Sequence, residues 1–259
     1  MRILLFILSF ISLPSFAFDI PKGLSASDRR QVIRTVGMNS ASKMLSNPYP
    51  LGGYSGFEVG YSLEFINVRD VTRLGCAVGS PGCGNTSVSD DSEWRFSRLS
   101  LAKGLYRDVD MSISFSPPSN GVHASDYGGA LRWSFYQAEF LPINLSALVN
   151  FNQMNFSDKF MNRNFGGDII VGVNVDNFAL YFGGGMIESH GTFIGGTGPD
   201  ATVDAGDPDL NGIQHTVVNK AQETHTVVGI SLHYENLFAA AQVDRYVDAV
   251  YSLKVGLRF

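Results

Sequence analysis

The feature that most constrains this chain is a strict alternation of apolar and polar residues that begins near Phe57 and recurs to the C-terminus. In residues 57–65 every second side chain is apolar, and the residues between them are glutamate, glycine or serine. The same pattern recurs in residues 109–116, 127–135, 143–151, 169–175, 178–186, 226–234, 237–243 and 251–259. A period of two is typical of strands with one apolar face. The sequence therefore predicts an all-β fold of about ten antiparallel strands.

The residues between the apolar positions indicate what the second face of the strands meets. Charged residues make up only 17% of the chain, and 28 residues are glycine. After residue 17 there is no apolar run of about 18 residues, the length that a spanning helix needs. A secreted β-sandwich is the alternative, but its outer face would carry many charges. Small uncharged residues suit a confined lumen, so we predict a transmembrane β-barrel.

The first 52 residues differ from the rest. Residues 1–17 have a basic start, a short apolar run and small residues at 15 and 17, which predicts a signal peptide. Residues 18–52 are expected to form a periplasmic segment or a plug with a short helix in 28–45, preceded by a capping-box variant at Ser25–Asp28. The barrel is predicted to occupy residues 53–259.

The predicted connections alternate in length, as short periplasmic turns and longer external loops do in outer-membrane barrels. An even number of strands places both chain ends on the periplasmic side. One strand is irregular, because its apolar residues change face along the strand. Trp94 and Phe96 lie at even-numbered positions, whereas Leu99 and Leu101 lie at odd-numbered positions. A bulge near residues 97–98 would reconcile them. The short connections are 106–108, 137–142, 176–177 and 235–236, and the long ones are 67–92, 117–126, 152–167, 188–221 and 244–248.

The C-terminus carries a family resemblance. Tyr251-Ser-Leu-Lys-Val-Gly-Leu-Arg-Phe259 resembles the last strand of Gram-negative outer-membrane proteins, in which the terminal aromatic residue is part of the assembly signal. Lys103-Gly104-Leu105, Gly128-Gly129-Ala130-Leu131-Arg132-Trp133 and Phe140-Leu141-Pro142 resemble small barrels without assigned function. The resemblance implies a location in the outer membrane of a Gram-negative bacterium, with Phe259 as the assembly signal. It also implies lipid and the assembly machinery as partners, and it carries no catalytic residues.

Charged residues of both signs fall on the predicted inner face. An unpaired buried charge is costly, so these residues are expected to pair with one another, and a lined pore is the functional alternative. We predict a non-enzymatic barrel, either a narrow pore for small solutes or a structural and oligomeric element. Many other inward residues are small and leave room for water or for the N-terminal segment. The predicted lumen-lining charges are Glu58, Glu64, Asp110, Arg132, Lys254 and Arg258.

Two cysteines flank a turn signal. Cys76 and Cys83 enclose Ser80-Pro81-Gly82 in a chain expected to be exported. An oxidising compartment favours a disulfide between them. A metal site with two cysteines is the alternative, but no further ligands lie nearby in the sequence.

The acidic stretch near residue 207 offers a weak calcium hypothesis. Asp207, Asp209 and Asn211 alternate and precede Gly212, as in the start of a calcium loop. The twelfth position holds Val218, where the motif needs a bidentate glutamate. A solvated acidic loop is therefore favoured, and no other cofactor is expected. A surface barrel that binds ligand or calcium through its long loops is an alternative function.

Histidines raise the alternative of a barrel hydrolase. Ser231 and His233 share a strand face, and His190 and His225 are expected at the outer ends of neighbouring strands. No spacing matches a known motif, and we predict no enzymatic activity. The acidic residues that could complete such a site are Asp126 and Asp168.

Two further features concern partners. The net charge of -5 argues against nucleic acid. Gly184, Ala239 and Ala241 fall on the predicted lipid face of neighbouring strands. Small residues on such a face permit close packing between proteins, which motivates a homo-oligomer hypothesis.

Overall fold

The structure, a computed structural model, describes residues 20–75, 93–116, 124–197, 201–210 and 216–259. In these ranges ten long antiparallel strands close into a barrel, which confirms the predicted fold class. The strands are β1 Phe57–Asn67, β2 Glu93–Gly104, β3 Val109–Ser116, β4 Ala124–Gln137, β5 Ile143–Phe156, β6 Phe160–Val175, β7 Phe178–Gly196, the two-residue β8 Val203–Asp204, β9 Thr216–Tyr234, β10 Leu237–Arg245 and β11 Ala249–Arg258. The helices are α1 Ala26–Val32, a π-helix Ile33–Met38 and 3-10 turns at Gly53–Ser55 and Val71–Arg73.

Each long strand pairs with its neighbours in the sheet, and β8 adds in parallel to the end of β7. The barrel closes between β1 and β11, where Glu58 faces Arg258 and Phe65 faces Tyr251. Phe259 continues this pairing through two backbone hydrogen bonds to Phe57, of 2.8 and 3.0 Å. We call the end of the barrel that holds Phe57 and Phe259 the turn end, and the opposite end the loop end.

The two faces of the wall follow the sequence pattern. Inward side chains are buried, and outward side chains between the two ends are apolar and exposed. On β7 the outward residues from Phe178 to Met186 are apolar or glycine, and the next outward residue is Glu188. This height matches the 9–11 residues that a tilted strand needs to cross a membrane. Outward apolar residues include Ile113, Leu131, Val149, Ile169, Phe182, Ile230 and Leu253.

Two predicted long loops are mostly strand. The β5–β6 connection is a tight turn in which Ser157 and Asp158 have φ of 52° and 57°, and not a loop over 152–167. Similarly, β7 and β9 extend far into the predicted loop 188–221. The alternation disappears there because the outer face above the apolar band meets water, while the backbone pairing continues.

The predicted bulge in β2 is wrong. Its register with β1 is unbroken from Asn67–Glu93 to Phe57–Lys103. Trp94 and Phe96 are apolar yet point inward, because the lumen at the loop end holds an apolar core. Side chains of β2 therefore alternate regularly between the inner and outer faces. What changes along the barrel axis is the polarity of the interior. A register shift occurs instead in β4, between Trp133 and Tyr136.

Residues 20–52, here called the N-terminal segment, lie inside the barrel. Residues 20–38, the head, occupy the loop end, where α1 begins with the predicted capping box between Ser25 and Asp28. Residues 39–52, the tail, run extended along the lumen to the turn end and join β1. In the described ranges no helix is long and apolar enough to cross a membrane.

Candidate functional site in the barrel lumen

The first group of lumen charges lies on β1 and β11. Glu58 and Lys254 point inward, and Lys254 Nζ lies 2.8 Å from Glu58 Oε1. Ser46 of the tail donates its hydroxyl to Glu58 Oε2 at 2.6 Å. A wall carboxylate therefore binds both a wall cation and the tail.

A second group surrounds Glu64, which is almost fully buried. Glu64 pairs with Lys43 of the tail and with Arg98 of β2. Arg98 Nε also lies 2.8 Å from Asp126 Oδ2, and its remaining N–H groups donate to the carbonyls of Ser40 and Ala41. Arg98 was not predicted as a lumen residue, because the bulge expected near residues 97–98 left the direction of its side chain unassigned.

The third group holds the tail at the turn end. Arg132 lies 2.5 Å from Asp110 and donates to the carbonyls of Asn47 and Tyr49 at 2.6 and 2.9 Å. Asp110 also accepts the backbone N–H of Leu51 at 3.1 Å. These contacts fix the backbone of the tail, so they depend little on its side chains.

Arg258, the last of the six predicted lumen charges, also binds the tail. Its Nη2 donates to the carbonyls of Tyr49 and Pro50 at 3.2 and 2.7 Å. Asparagines act in the same way nearer the loop end, where Asn152 donates to Ser40 and Asn164 to Gly37, at 3.0 and 2.7 Å. The inner wall thus satisfies the backbone acceptors of an extended segment that has no strand partner.

Glycine occurs where wall and segment approach most closely. A Cβ on Gly172 of β6 would stand 2.5 Å from the Pro48 ring, and a Cβ on Gly191 of β7 would stand 2.5 Å from the Ile33 side chain. A Cβ on Gly37 in the segment would lie 2.7 Å from the Asn162 amide. Larger residues at these positions would displace the segment or its neighbours.

The space left around the tail is small. One internal cavity of about 60 Å³ lies between the tail and strands β1–β5 and β11. It has room for a few water molecules. The polar residues around it include Ser42, Lys43, Glu58, Asp110, Arg132 and Lys254.

The head is held by apolar packing. Leu24, Val32, Ile33 and Val36 are at most 1% exposed and join an apolar cluster with wall residues of the loop end. Full burial of one such side chain contributes about 1.5–3 kcal/mol, so these four together contribute roughly 6–12 kcal/mol. Wall residues in this cluster include Ile66, Trp94, Phe96, Met154, Phe156, Phe160 and Phe193.

Arg29 of α1 ties the head to the connection between β7 and β9. The fully buried guanidinium lies 2.9 Å from Asp207, pairs with Asp209, and donates to Asn219 Oδ1 at 2.8 Å. The two carboxylates proposed as calcium ligands therefore already face a cation from the protein. Asn211 lies outside the described residues, and no cluster of three His, Cys, Asp or Glu able to hold a metal occurs in the described ranges.

The histidines are separated. His225 points inward, with Nε2 2.9 Å from Asp168, whereas His190 points outward and lies 2.5 Å from Glu188. His233 stacks on Phe238 near the turn end, with ring centroids 5.8 Å apart. In the part of the chain that the structure describes, none of these three histidines is hydrogen-bonded to a serine hydroxyl. Asp126 pairs with Arg98 and not with a histidine.

Three further predictions concern the disulfide, the signal peptide and the small residues on the lipid face. Cys76, Cys83 and the predicted signal peptide lie outside the described residues. Gly184, Ala239 and Ala241 face outward, but β9 lies between β7 and β10, so their strands are not neighbours. Gly184 is separated from Ala239 and Ala241 by large outward residues of β9. These residues are Val228, Ile230 and Leu232.

A closed antiparallel barrel with an apolar outer band and a charged, polar interior defines the class: this chain is an outer-membrane β-barrel of a Gram-negative bacterium. In this particular barrel the chain's own N-terminal segment occupies the lumen. Because the loops of such barrels are external, the loop end faces the cell exterior.

Comparisons with known proteins find similarity of low identity to solved structures and add no residue roles. The chain is similar to the N-terminal β-barrel domain of Pseudomonas aeruginosa OprF, with 12% identity over 80% of this chain and 99% of that chain and a TM-score of 0.33. It is similar to the KdgM porin, with 10% identity, 78% and 99% coverage and a TM-score of 0.35. It is also similar to Ail of Yersinia pestis, with 11% identity, 79% and 97% coverage and a TM-score of 0.29. No protein-family model and no curated protein matches the chain.

Proposed function

We propose that this protein is a closed, non-enzymatic outer-membrane barrel that serves as a structural and surface element and does not conduct in its resting state. The observation that carries the proposal is the lumen occupied by the tail, beside which a cavity of only about 60 Å³ remains. The apolar head supports it further, because releasing four buried aliphatic side chains would cost several kcal/mol.

The proposal is tested by single-channel recording of the refolded mature protein in a planar bilayer. We expect no steady conductance from the intact protein. The double variant Ile33→Asp, Val36→Asp places charges in the apolar core of the head, and we expect it to conduct. Ser27→Asp, on the exposed side of α1, is the matched control and should stay silent. Steady conductance from the intact protein would refute the closed state.

A second candidate function is a passage for small polar solutes that opens when the segment moves. It is favoured by the wall beneath the tail, where inward residues such as Gly60, Ser112, Gly128 and Gly172 are small. Such a wall would remain polar and open if the tail left it. Voltage or a periplasmic partner that opens the intact protein reversibly would favour this passage over a permanently closed barrel.

We infer that neither catalysis nor a cofactor contributes to this function. The inference rests on the separation of the three described histidines, because a general base must reach its nucleophile within hydrogen-bond distance. Substitution of His190, His225 and His233 by glutamine should therefore leave the biological role intact. A calcium ion at Asp207 and Asp209 would have to compete with Arg29, and it should stabilise an Arg29→Met variant more than the wild type.

A further inference from the structure

The outer wall carries a groove at the upper edge of its apolar band. The groove has a volume of about 520 Å³ and lies on β5, β6 and β7. Its depth comes from Gly167 and Gly184, which stand at outward positions without side chains. The apolar side chains around them are those of Ala147, Phe165, Ile169 and Met186.

The groove can accept atoms without disturbing the sheet. A Cβ built on Gly167 would meet only the Leu148 carbonyl oxygen, at an ordinary 3.7 Å. Gly184 is different, because a Cβ there would lie 2.8 Å from the His225 carbonyl oxygen. A side chain therefore does not fit at Gly184 without a shift of its neighbours, whereas the space above Gly167 can accept one.

A row of basic side chains lies directly above the groove. Arg163 of β6 is the register partner of His190 of β7, and His190 is the partner of Lys220 of β9. All three occupy outward positions. Arg163 and Lys220 are permanent cations, so the row presents positive charge on both sides of His190.

The protein itself places few anionic groups beside this basic row. Arg163 Nε donates to the neutral Gln153 at 3.1 Å, and His190 contacts Glu188 at 2.5 Å. Among the described residues, no carboxylate lies within ion-pair distance of Arg163 or Lys220. The row therefore leaves two permanent cations free to bind an external anion.

The groove and the row are adjacent on the same strands. Phe165, Glu188 and Gln222 line the upper edge of the groove. Arg163, His190 and Lys220 are the next outward residues toward the loop end on those strands. An apolar groove within the membrane is thus continuous with a cationic surface just outside it.

We propose that this face of β6, β7 and β9 binds a phosphorylated, acylated glycolipid of the outer leaflet, with an acyl chain in the groove and a phosphate at the basic row. A soluble anion would use the row but leave the groove empty. A second copy of this chain packed through the same face would bring two basic rows together. The site does not depend on whether the lumen is open or closed.

The test uses the full mature protein, delipidated in a non-ionic detergent, with bis-phosphorylated lipid A as the probe. The double variant Arg163→Gln, Lys220→Gln removes the two free cations, and Gly167→Leu fills the groove. Arg69→Gln, an exposed cation in the connection between β1 and β2, and Ala239→Leu, an added apolar side chain on the lipid face of β10, are the matched controls. Circular dichroism and thermal unfolding establish that each variant is folded.

A cation near an anionic membrane surface contributes about 1 kcal/mol, so we expect the double variant to bind lipid A about 30-fold more weakly. Gly167→Leu should also weaken lipid A binding, and neither control should change it. Dephosphorylated lipid A should bind weakly and be insensitive to the charge substitutions. Equal binding by all variants would overturn the proposal. Competition by inorganic phosphate as strong as that by lipid A would reduce the site to an anion site and overturn it. Disulfide cross-linking of two copies of a Gly167→Cys variant under an added oxidant, absent from the protein without that substitution, would also overturn it.

Discussion

At the scale of single residues, Arg29 provides the polar anchor that ties the head to the connection between β7 and β9. It is fully buried, and its guanidinium bonds to two aspartates, to Asn219 and to the Leu24 carbonyl. Its neighbour Arg30 is exposed and makes one long hydrogen bond, to Ala26. The two adjacent arginines therefore have different roles, which their positions in the sequence do not reveal.

We predict that Arg29→Met lowers the free energy of unfolding by about 2 kcal/mol, because hydrogen bonds to charged groups contribute ~1.5–3 kcal/mol and Asp209 remains half exposed to water. Arg30→Met is the control and should change stability by less than about 0.5 kcal/mol. Denaturant titration of both variants measures the difference. Equal effects of the two substitutions would contradict the assigned role of Arg29.

The same contact predicts a pH dependence. Partial burial raises the pKa of Asp207, but the Arg29 hydrogen bond, the Asp209 backbone N–H and the Arg29 charge outweigh it and lower the pKa. A carboxyl with a depressed pKa stabilises the fold above its unfolded value of about 3.9, and this stabilisation is lost as the pH falls through the folded value. The difference in melting temperature between wild type and Asp207→Asn should therefore shrink below about pH 4. A difference that stays constant from pH 7 to pH 3 would refute this.

At the scale of elements, small residues of the wall make room for the tail where the two are in contact. Gly172 and Gly167 lie on the same strand, β6, but Gly172 points inward at Pro48 and Gly167 points outward. This pair permits a test in which the same substitution is made on the two faces of one strand.

We predict that Gly172→Leu destabilises the protein by about 1–3 kcal/mol, the usual cost of overpacking, and displaces the tail. Gly167→Leu should leave unfolding almost unchanged, because its new side chain enters open space. Limited proteolysis of the segment and denaturant titration measure the two effects. Similar destabilisation by both substitutions would mean that the tail does not pack against β6.

The strands also show where the alternation of apolar and polar residues was sufficient to predict the structure. The alternation predicted the strands within the apolar band, since water or lipid on the outside and a polar lumen on the inside impose opposite polarities. The pattern failed for the upper parts of β5, β6, β7 and β9, where the outer face meets water and the inner face mixes polar and apolar residues. It also failed for the upper part of β2, where the inner face is apolar. Neither environment could be known before the segment was placed in the lumen.

At the scale of the whole molecule, the chain passes through the barrel before it builds the wall. Leu24 donates its backbone N–H to the Thr202 carbonyl at 2.9 Å, which fixes the start of the segment at the loop end. Phe57 and Phe259 lie at the opposite end. The two ends of the described chain are therefore on opposite sides of the membrane. The prediction that both chain ends are periplasmic is wrong for the described chain, because the segment crosses the lumen before β1 begins.

We predict that an epitope tag placed immediately before Ile20 is labelled by antibody on intact cells. A tag in the turn at residues 138–142 should be labelled only after the outer membrane is permeabilised. Fluorescence labelling of intact and permeabilised cells distinguishes the two positions. Labelling of the first tag only in permeabilised cells would mean that the segment does not cross the lumen.

The sequence by itself determined the strand-based fold, the approximate strand number and the inward direction of the six lumen charges, because each follows from a local period of two. It also predicted a separate segment at residues 18–52, since their pattern differs from that of the strands. Only the tertiary structure decided where that segment lies, that Arg98 and Lys43 complete the charge pairs, and that Arg29 meets Asp207. These contacts join residues far apart in the chain, and they follow from closing the sheet around the segment.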